Sequence, residues 1–407
     1  MRSILWIVAS GVLARLVLLL LFDPGVQVFS GDSQYYAEMA FRMRSGHLPT
    51  ALRPPGYPAF LAITMFGWAL PMLVQSALTI FSGVATYLVF RNRGGFVAGL
   101  CIAACPFLAI FDLRLLSESL YGNLVWLAWL ALYRKMHVTA GLLLGLSILC
   151  RDTLLLLPLF AALFGFFLHQ RRTWVMALVA YLLVAPWIAV TGHLSEGRLG
   201  QNLWAGTWER NADWYSAGLQ HPQFPAYAFR SPQEERFVRS HWNDDKGLQR
   251  MAIDHMKSDP LGTVRAWVVR YPRLWIGTRS DEISFRFAKG TAIWYILKLL
   301  FVALDLSIIA FGLWGFRFNL FAVPVLYAAA IYIPFHGSET RYTLFALPFL
   351  ILFGSLRLFG AKLRSRKNGG GDIHSQMLLP VLPRSEPDYD CSQIGGGGCS
   401  GRTPPPR

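Results

Sequence analysis

Apolar runs long enough to cross a bilayer alternate with short polar turns over most of this chain. They lie at 4–22, 70–90, 95–111, 118–133, 138–150, 153–168, 173–191, 293–315, 319–335 and 342–359. At about 20 apolar residues per crossing, they predict about ten transmembrane helices. The runs at 138–150 and 153–168 are short, and 57–69 reads as an additional short or re-entrant helix. Residues 192–290 break the alternation: they are too long for a plain connection and too polar to span. Within them, Ser231-Pro-Gln-Glu-Glu235 predicts a capped helix start with proline at the first position, so this segment reads as a helical domain. Residues 361–407 are rich in Gly, Ser and Pro and read as a disordered cytoplasmic tail. The expected fold class is therefore an all-α integral membrane protein, with 1–360 as one module.

Composition agrees with this pattern. The chain has 407 residues, 54% of them hydrophobic, and a mean hydropathy of +0.40, too apolar for a soluble protein of this length. The net charge of +15 would suit nucleic acid, but its placement argues against that partner. Arg91 and Arg93, Arg134 and Lys135, Arg171 and Arg172, and Arg317 fall in turns between apolar runs, and Lys362, Arg364, Arg366 and Lys367 follow the last run. With the amino terminus inside, alternation puts every one of these clusters on the cytoplasmic side. No small-residue cleavage site follows residue 22, so the first run reads as an uncleaved helix. Five cysteines, three in or beside apolar runs and two in the tail, form no disulfide framework.

The same alternation gathers Asp32, Arg53, Glu118, Arg151 and Arg341 on the opposite, outer face. Asp32 follows the first span in Ser30-Gly-Asp32-Ser-Gln-Tyr-Tyr36. It is either the cap of a helix running to about residue 45 or a carboxylate that accepts a proton from an incoming hydroxyl or amine. One carboxylate without a second suits a single displacement with inversion. Arg53 precedes Pro54-Pro55-Gly56-Tyr57-Pro58, whose prolines stiffen the backbone and whose glycine permits a tight turn. Its guanidinium suits a phosphate at the head-group boundary, or simple snorkelling to lipid. Arg151 lies between two short apolar runs, where an acidic partner is expected: Asp152, Asp32 or a ligand phosphate. Glu118 heads the fourth span, with Asp112 and Arg114 close enough in sequence to pair with each other. His336-Gly-Ser-Glu339-Thr-Arg341-Tyr342 joins the last two spans, and Lys298 and Asp305 share a helical face. Tyr35, Tyr57, Glu118, His336 and Glu339 are the expected cavity and acceptor residues. Trp204, Trp208, Trp214, Trp242, Trp267 and Trp275 in the outer segment read as interfacial anchors or as sugar-stacking platforms. The histidines show no metal-ligand spacing, and no nucleotide-binding loop is present. No metal is expected from motifs, although a divalent cation between Asp32 and a donor phosphate is left open.

These segments, in order, resemble the polytopic C-type glycosyltransferases (GT-C), specifically the branch of protein O-mannosyltransferases and the lipid A aminoarabinose transferase. The resemblance covers about residues 1–360. It rests on Gly31-Asp32-Ser-Gln-Tyr-Tyr, Arg53-Pro-Pro-Gly-Tyr-Pro, Leu116-Ser-Glu118-Ser-Leu, Gly141-Leu-Leu-Leu-Gly-Leu-Ser-Ile-Leu-Cys-Arg151, Ala185-Pro-Trp187 and Glu339-Thr-Arg341-Tyr342. It implies transfer of a sugar from a polyprenyl-phosphate donor to a lipid, glycan or protein acceptor at the outer face of a bacterial plasma membrane. Asp32 would be the base and Arg53 the donor-phosphate cation, with Arg151 and Arg341 assisting. The family's first loop often carries two adjacent acids, whereas Ser33 follows Asp32 here, and the carboxyl half is short. Two rivals are a secondary transporter of an anionic or lipid-linked substrate and a non-catalytic lipid-binding scaffold. A transporter predicts internal symmetry and polar residues at mid-membrane, and the sequence shows no internal repeat and little such polarity.

Overall fold

The computed structural model describes residues 1–22, 32–47, 53–194, 199–207, 229–276, 285–287, 290–334 and 340–359. Trp208, Trp214, His336, Glu339 and the tail 361–407, for which the sequence sets expectations, therefore lie outside the described residues. Within them every regular element is helical, and the one strand-like pairing is an isolated bridge between Phe22 and Phe285.

Each predicted apolar run is helical. In chain order the first ten helices are α1 (Arg2–Leu21), α2 (Asp32–Arg44), α3 (Gly56–Thr64), α4 (Ala69–Phe90), α5 (Arg93–Ala104), α6 (Pro106–Asp112), α7 (Ser117–Tyr133), α8 (His137–Cys150), α9 (Leu157–Phe167) and α10 (Thr173–Thr191). There follow α11 (Leu199–Gly206), α12 (Pro232–Ser240), α13 (Asp245–Ser258), α14 (Pro260–Trp275), α15 (Ala292–Gly315), α16 (Ala322–Ile331) and α17 (Leu347–Leu358). Five helices are long and apolar enough to cross a membrane: α1, α4, α10, α15 and the run Arg341–Leu358. The pair α5 and α6, bent by 44° at Cys105, makes a sixth if counted as one span. The bend has a local cause: Pro106 opens α6 and cannot donate into α5. Helices α8, α9 and α16 are apolar but shorter. The chain is thus a helical membrane-spanning protein.

Helix α7 is the hub, buried along almost its whole length. Its Trp126 ring meets Phe349 of α17 edge-on at 4.8 Å. Both of its indole N–H groups find acceptors, Trp126 on Thr86 Oγ1 at 3.0 Å and Trp129 on the Leu320 carbonyl at 2.7 Å. Inside a bilayer an unmet N–H costs several kcal/mol, so these bonds fix which rotamers the hub can use. By contrast α1 and α15 bury only a minor part of their surface and turn long apolar faces outward, as lipid-facing helices do.

Helices α11 to α14 form the helical segment expected over 192–290. Ser231 caps α12 by accepting from the Glu234 N–H, as the sequence predicts. Trp204 sits in a small apolar core with Phe229, Val238, Leu248 and Ala252. It donates to Glu234 Oε1 at 2.6 Å. This indole is committed to packing, which removes it from both expected tryptophan roles.

Candidate functional site

Three short-range features bring the charges expected on the outer face together. Asp32 opens α2, so its carboxylate lies in the first helical turn, where the helix dipole favours an anion. Arg53 lies in the turn before α3. A Cβ on Gly56 would come within 2.7 Å of the Leu149 backbone carbonyl, so only glycine lets this turn reach the end of α8. That helix end is where Arg151 sits, its extended backbone (φ −148°, ψ 113°) separating α8 from the 3-10 turn Asp152–Leu154.

The result is a chain of ion pairs. Arg53 Nη2 lies 3.0 Å from Asp32 Oδ1, and Arg341 Nη1 lies 3.7 Å from Asp32 Oδ2. Arg341 Nε also lies 3.8 Å from Glu118 Oε1, which Arg151 Nη1 approaches to 3.7 Å. Both Arg151 and Arg341 stand over the Tyr342 ring, at 5.2 and 5.3 Å. That ring stacks on Tyr332 at 5.1 Å, and the Tyr332 hydroxyl is held by Thr153 Oγ1 at 3.0 Å. The innermost contacts are too long for hydrogen bonds. Glu118 Oε1, Arg151 Nε and Nη1 and the Tyr121 hydroxyl are buried with no hydrogen-bond partner.

Burial alone would raise the Asp32 carboxyl. Arg53, Arg341 and Arg151 outweigh that effect and hold it at about 2. Asp32 is thus an ionised carboxylate engaged by Arg53 and Arg341.

The structure joins Asp32, Arg53, Glu118, Arg151 and Arg341 in one cluster and revises other expectations. Arg151 pairs with Glu118, not with its neighbour Asp152 or with Asp32. Asp112 does not pair with Arg114. Its carboxylate takes Arg15, Thr79 and Ser119, while Arg114 stands over Phe111. Tyr57, expected in the acceptor cavity, is fully buried and donates to Gln75 Oε1 at 2.9 Å. Tyr35 is half-buried and edge-on to Tyr36. Tyr36 is the ring that faces inward, its hydroxyl 3.4 Å from Ser117 Oγ. Its position was readable: four residues after Asp32, it shares that residue's helical face. Tyr342 carried no comparable signal, since its role depends on Arg151, distant in sequence, as well as on its neighbour Arg341.

A second polar cluster lies deeper, and the sequence reading underestimated it. Arg15 of α1 pairs with Asp112 and donates to the carbonyls of Gly11 and Ala103, each at 2.7 Å. Thr79, Ser82, Asn123, Ser119 and Gln75 continue this network through α4 and α7. A narrow cavity lined by Thr79, Asp112, Glu118, Ser119, Asn123 and Phe345 adjoins both clusters. Among the described residues no three His, Cys, Asp or Glu side chains gather as a metal site would require. No family model, curated protein or solved structure matches this chain.

Proposed function

We propose that this protein is an inverting membrane glycosyltransferase that takes a sugar from a polyprenyl-phosphate carrier. In this reading it is a GT-C-like enzyme of about ten spans in a bacterial plasma membrane, with its site on the outer face. One observation carries the reading: a single carboxylate, Asp32, is held between two guanidiniums, with a third beside Glu118 behind them. An anionic leaving group and a proton acceptor are the two things such a transfer needs at one place.

The chemistry follows from the charges. The acceptor O–H or N–H attacks the anomeric carbon, and the bond from that carbon to the phosphate oxygen breaks. Its electron pair stays on the phosphate, and the acceptor's proton goes to Asp32. Arg53 and Arg341 receive the charge that develops on the leaving group. In the ligand-free site these same arginines hold Asp32 near 2, too low for an effective base at neutral pH. A donor phosphate competes for them, weakens their grip on Asp32 and raises its basicity as the substrate arrives. No step here is routed through a cation; Asp32 and Glu118 are the two carboxylates that would face one.

The test is transfer from radiolabelled polyprenyl-phosphate sugars in membranes holding the wild type or Asp32→Asn at matched protein levels. A loss of about a hundredfold or more is expected. Undiminished transfer by the variant removes Asp32 from the chemistry. The buried network around Arg15 and Asp112 favours a second reading, a transporter of an anionic or lipid-linked substrate. Under it, reconstituted vesicles move substrate without cleaving any sugar–phosphate bond.

A further inference from the structure

Helix α14, Pro260–Trp275, has its polarity reversed. A helix on a water-facing domain buries an apolar stripe and exposes a polar one. Here the buried face carries Thr263, Ala266, Arg270 and Leu274. Arg270 donates there to the carbonyls of Ala205, Gly206 and Ala266. The outward face carries Leu261 (83% exposed), Val264, Val268 (65%), Val269 and Tyr271. Their spacing places them on one continuous arc, with exposed Arg265 at its edge.

The surroundings of this arc identify what covers it. At its carboxyl end the Leu274 carbonyl accepts from Thr343, in the first turns of the spanning run Arg341–Leu358. Further along the chain, Phe285 stacks on Phe22 at the end of spanning helix α1 at 5.1 Å. Arg286 donates to the carbonyls of Leu21 and Phe22. The end of α14 is thus bonded to the start of one spanning run, and the chain beyond it packs on the end of a second. The helix carries exposed Arg265 beside the arc and no acidic residue, which suits anionic head groups.

We infer that α14 lies in the membrane interface, with Leu261, Val264, Val268 and Tyr271 inserted among the lipids of the leaflet beside the Asp32 cluster. This does not depend on the proposed transferase activity.

The full chain in nanodiscs of equal parts phosphatidylethanolamine and phosphatidylglycerol tests it. With the native cysteines replaced by alanine, a nitroxide is placed at Val268→Cys or, on the exposed face of α13, at Lys257→Cys. Collision with oxygen relative to a water-soluble nickel chelate should be several-fold higher at 268 than at 257. Equal nickel access at the two sites overturns the inference, because the arc then faces water. An immobilised label at 268 shielded from both reagents also overturns it, because protein then covers the arc. Unmutated protein with a photoactivatable lipid gives an independent reading: adducts on 261–271 support insertion, and their absence there with labelling of α1 and α15 refutes it.

Discussion

Two arginine–carboxylate clusters lie within one helical bundle, and they are built differently. In the deeper one, Asp112 is engaged by Arg15, Thr79 and Ser119, and Arg15 spends its remaining Nη1 capacity on two carbonyls. In the other, Glu118 meets its arginines only at 3.7 and 3.8 Å, and buried atoms of Glu118, Arg151 and Tyr121 have no hydrogen-bond partner. Burying a charge is tolerable when hydrogen bonds replace its water and costly when they do not. The Asp112 carboxylate is hydrogen-bonded at both oxygens, and Arg15 Nε is the one buried atom of that pair without a partner. An unsatisfied cluster keeps capacity for something else, as functional sites do at the expense of stability.

Three experiments can break or sharpen this contrast. The largest effect is expected for Asp112→Ala, which leaves Arg15 charged and buried. It should cost about 3–5 kcal/mol, read as loss of monodisperse protein or a large fall in unfolding midpoint. An unaffected midpoint would show that the deep pair is not structural.

Asp32 comes next, through pH. Its folded value is depressed, from 3.8 to about 2, so the ionised form is favoured by the fold. That contribution is fully present above about 4 and is lost as pH falls from about 4 toward about 2. It amounts to roughly 2 kcal/mol, by the linkage of pKa and stability. The stability gap between wild type and Asp32→Asn should therefore be constant near neutral pH and close on acidification. A gap independent of pH down to 2 would mean that the carboxylate gains nothing from its arginines.

The smallest effect is expected for Glu118→Gln. Its ion pairs are long, and Arg151 and Arg341 still face Asp32 and the Tyr342 ring when Glu118 is neutral, so the unfolding free energy should stay within about 1 kcal/mol of wild type. A loss as large as that of Asp112→Ala would erase the distinction between the clusters.

Much of this architecture was legible in the chain itself. A run of apolar residues has no partner for its backbone in lipid except itself, so each predicted run is a helix. Caps such as Ser231 act within four residues and could be read directly. Asp32, Arg53, Glu118, Arg151 and Arg341 could be grouped because alternation of spans is a one-dimensional rule. What only the tertiary structure decided is the pairing inside that group and beneath it. Arg15 and Asp112 are 97 positions apart, and Arg341 reaches Asp32 from the other end of the chain. Arg151 chose Glu118 over the adjacent Asp152, and Tyr36 faces the cluster where Tyr57 turns to Gln75. Sequence spacing sets where a side chain starts along its helix. Which charge it meets depends on how helices cross, and the packing of α7 against its neighbours sets those crossings.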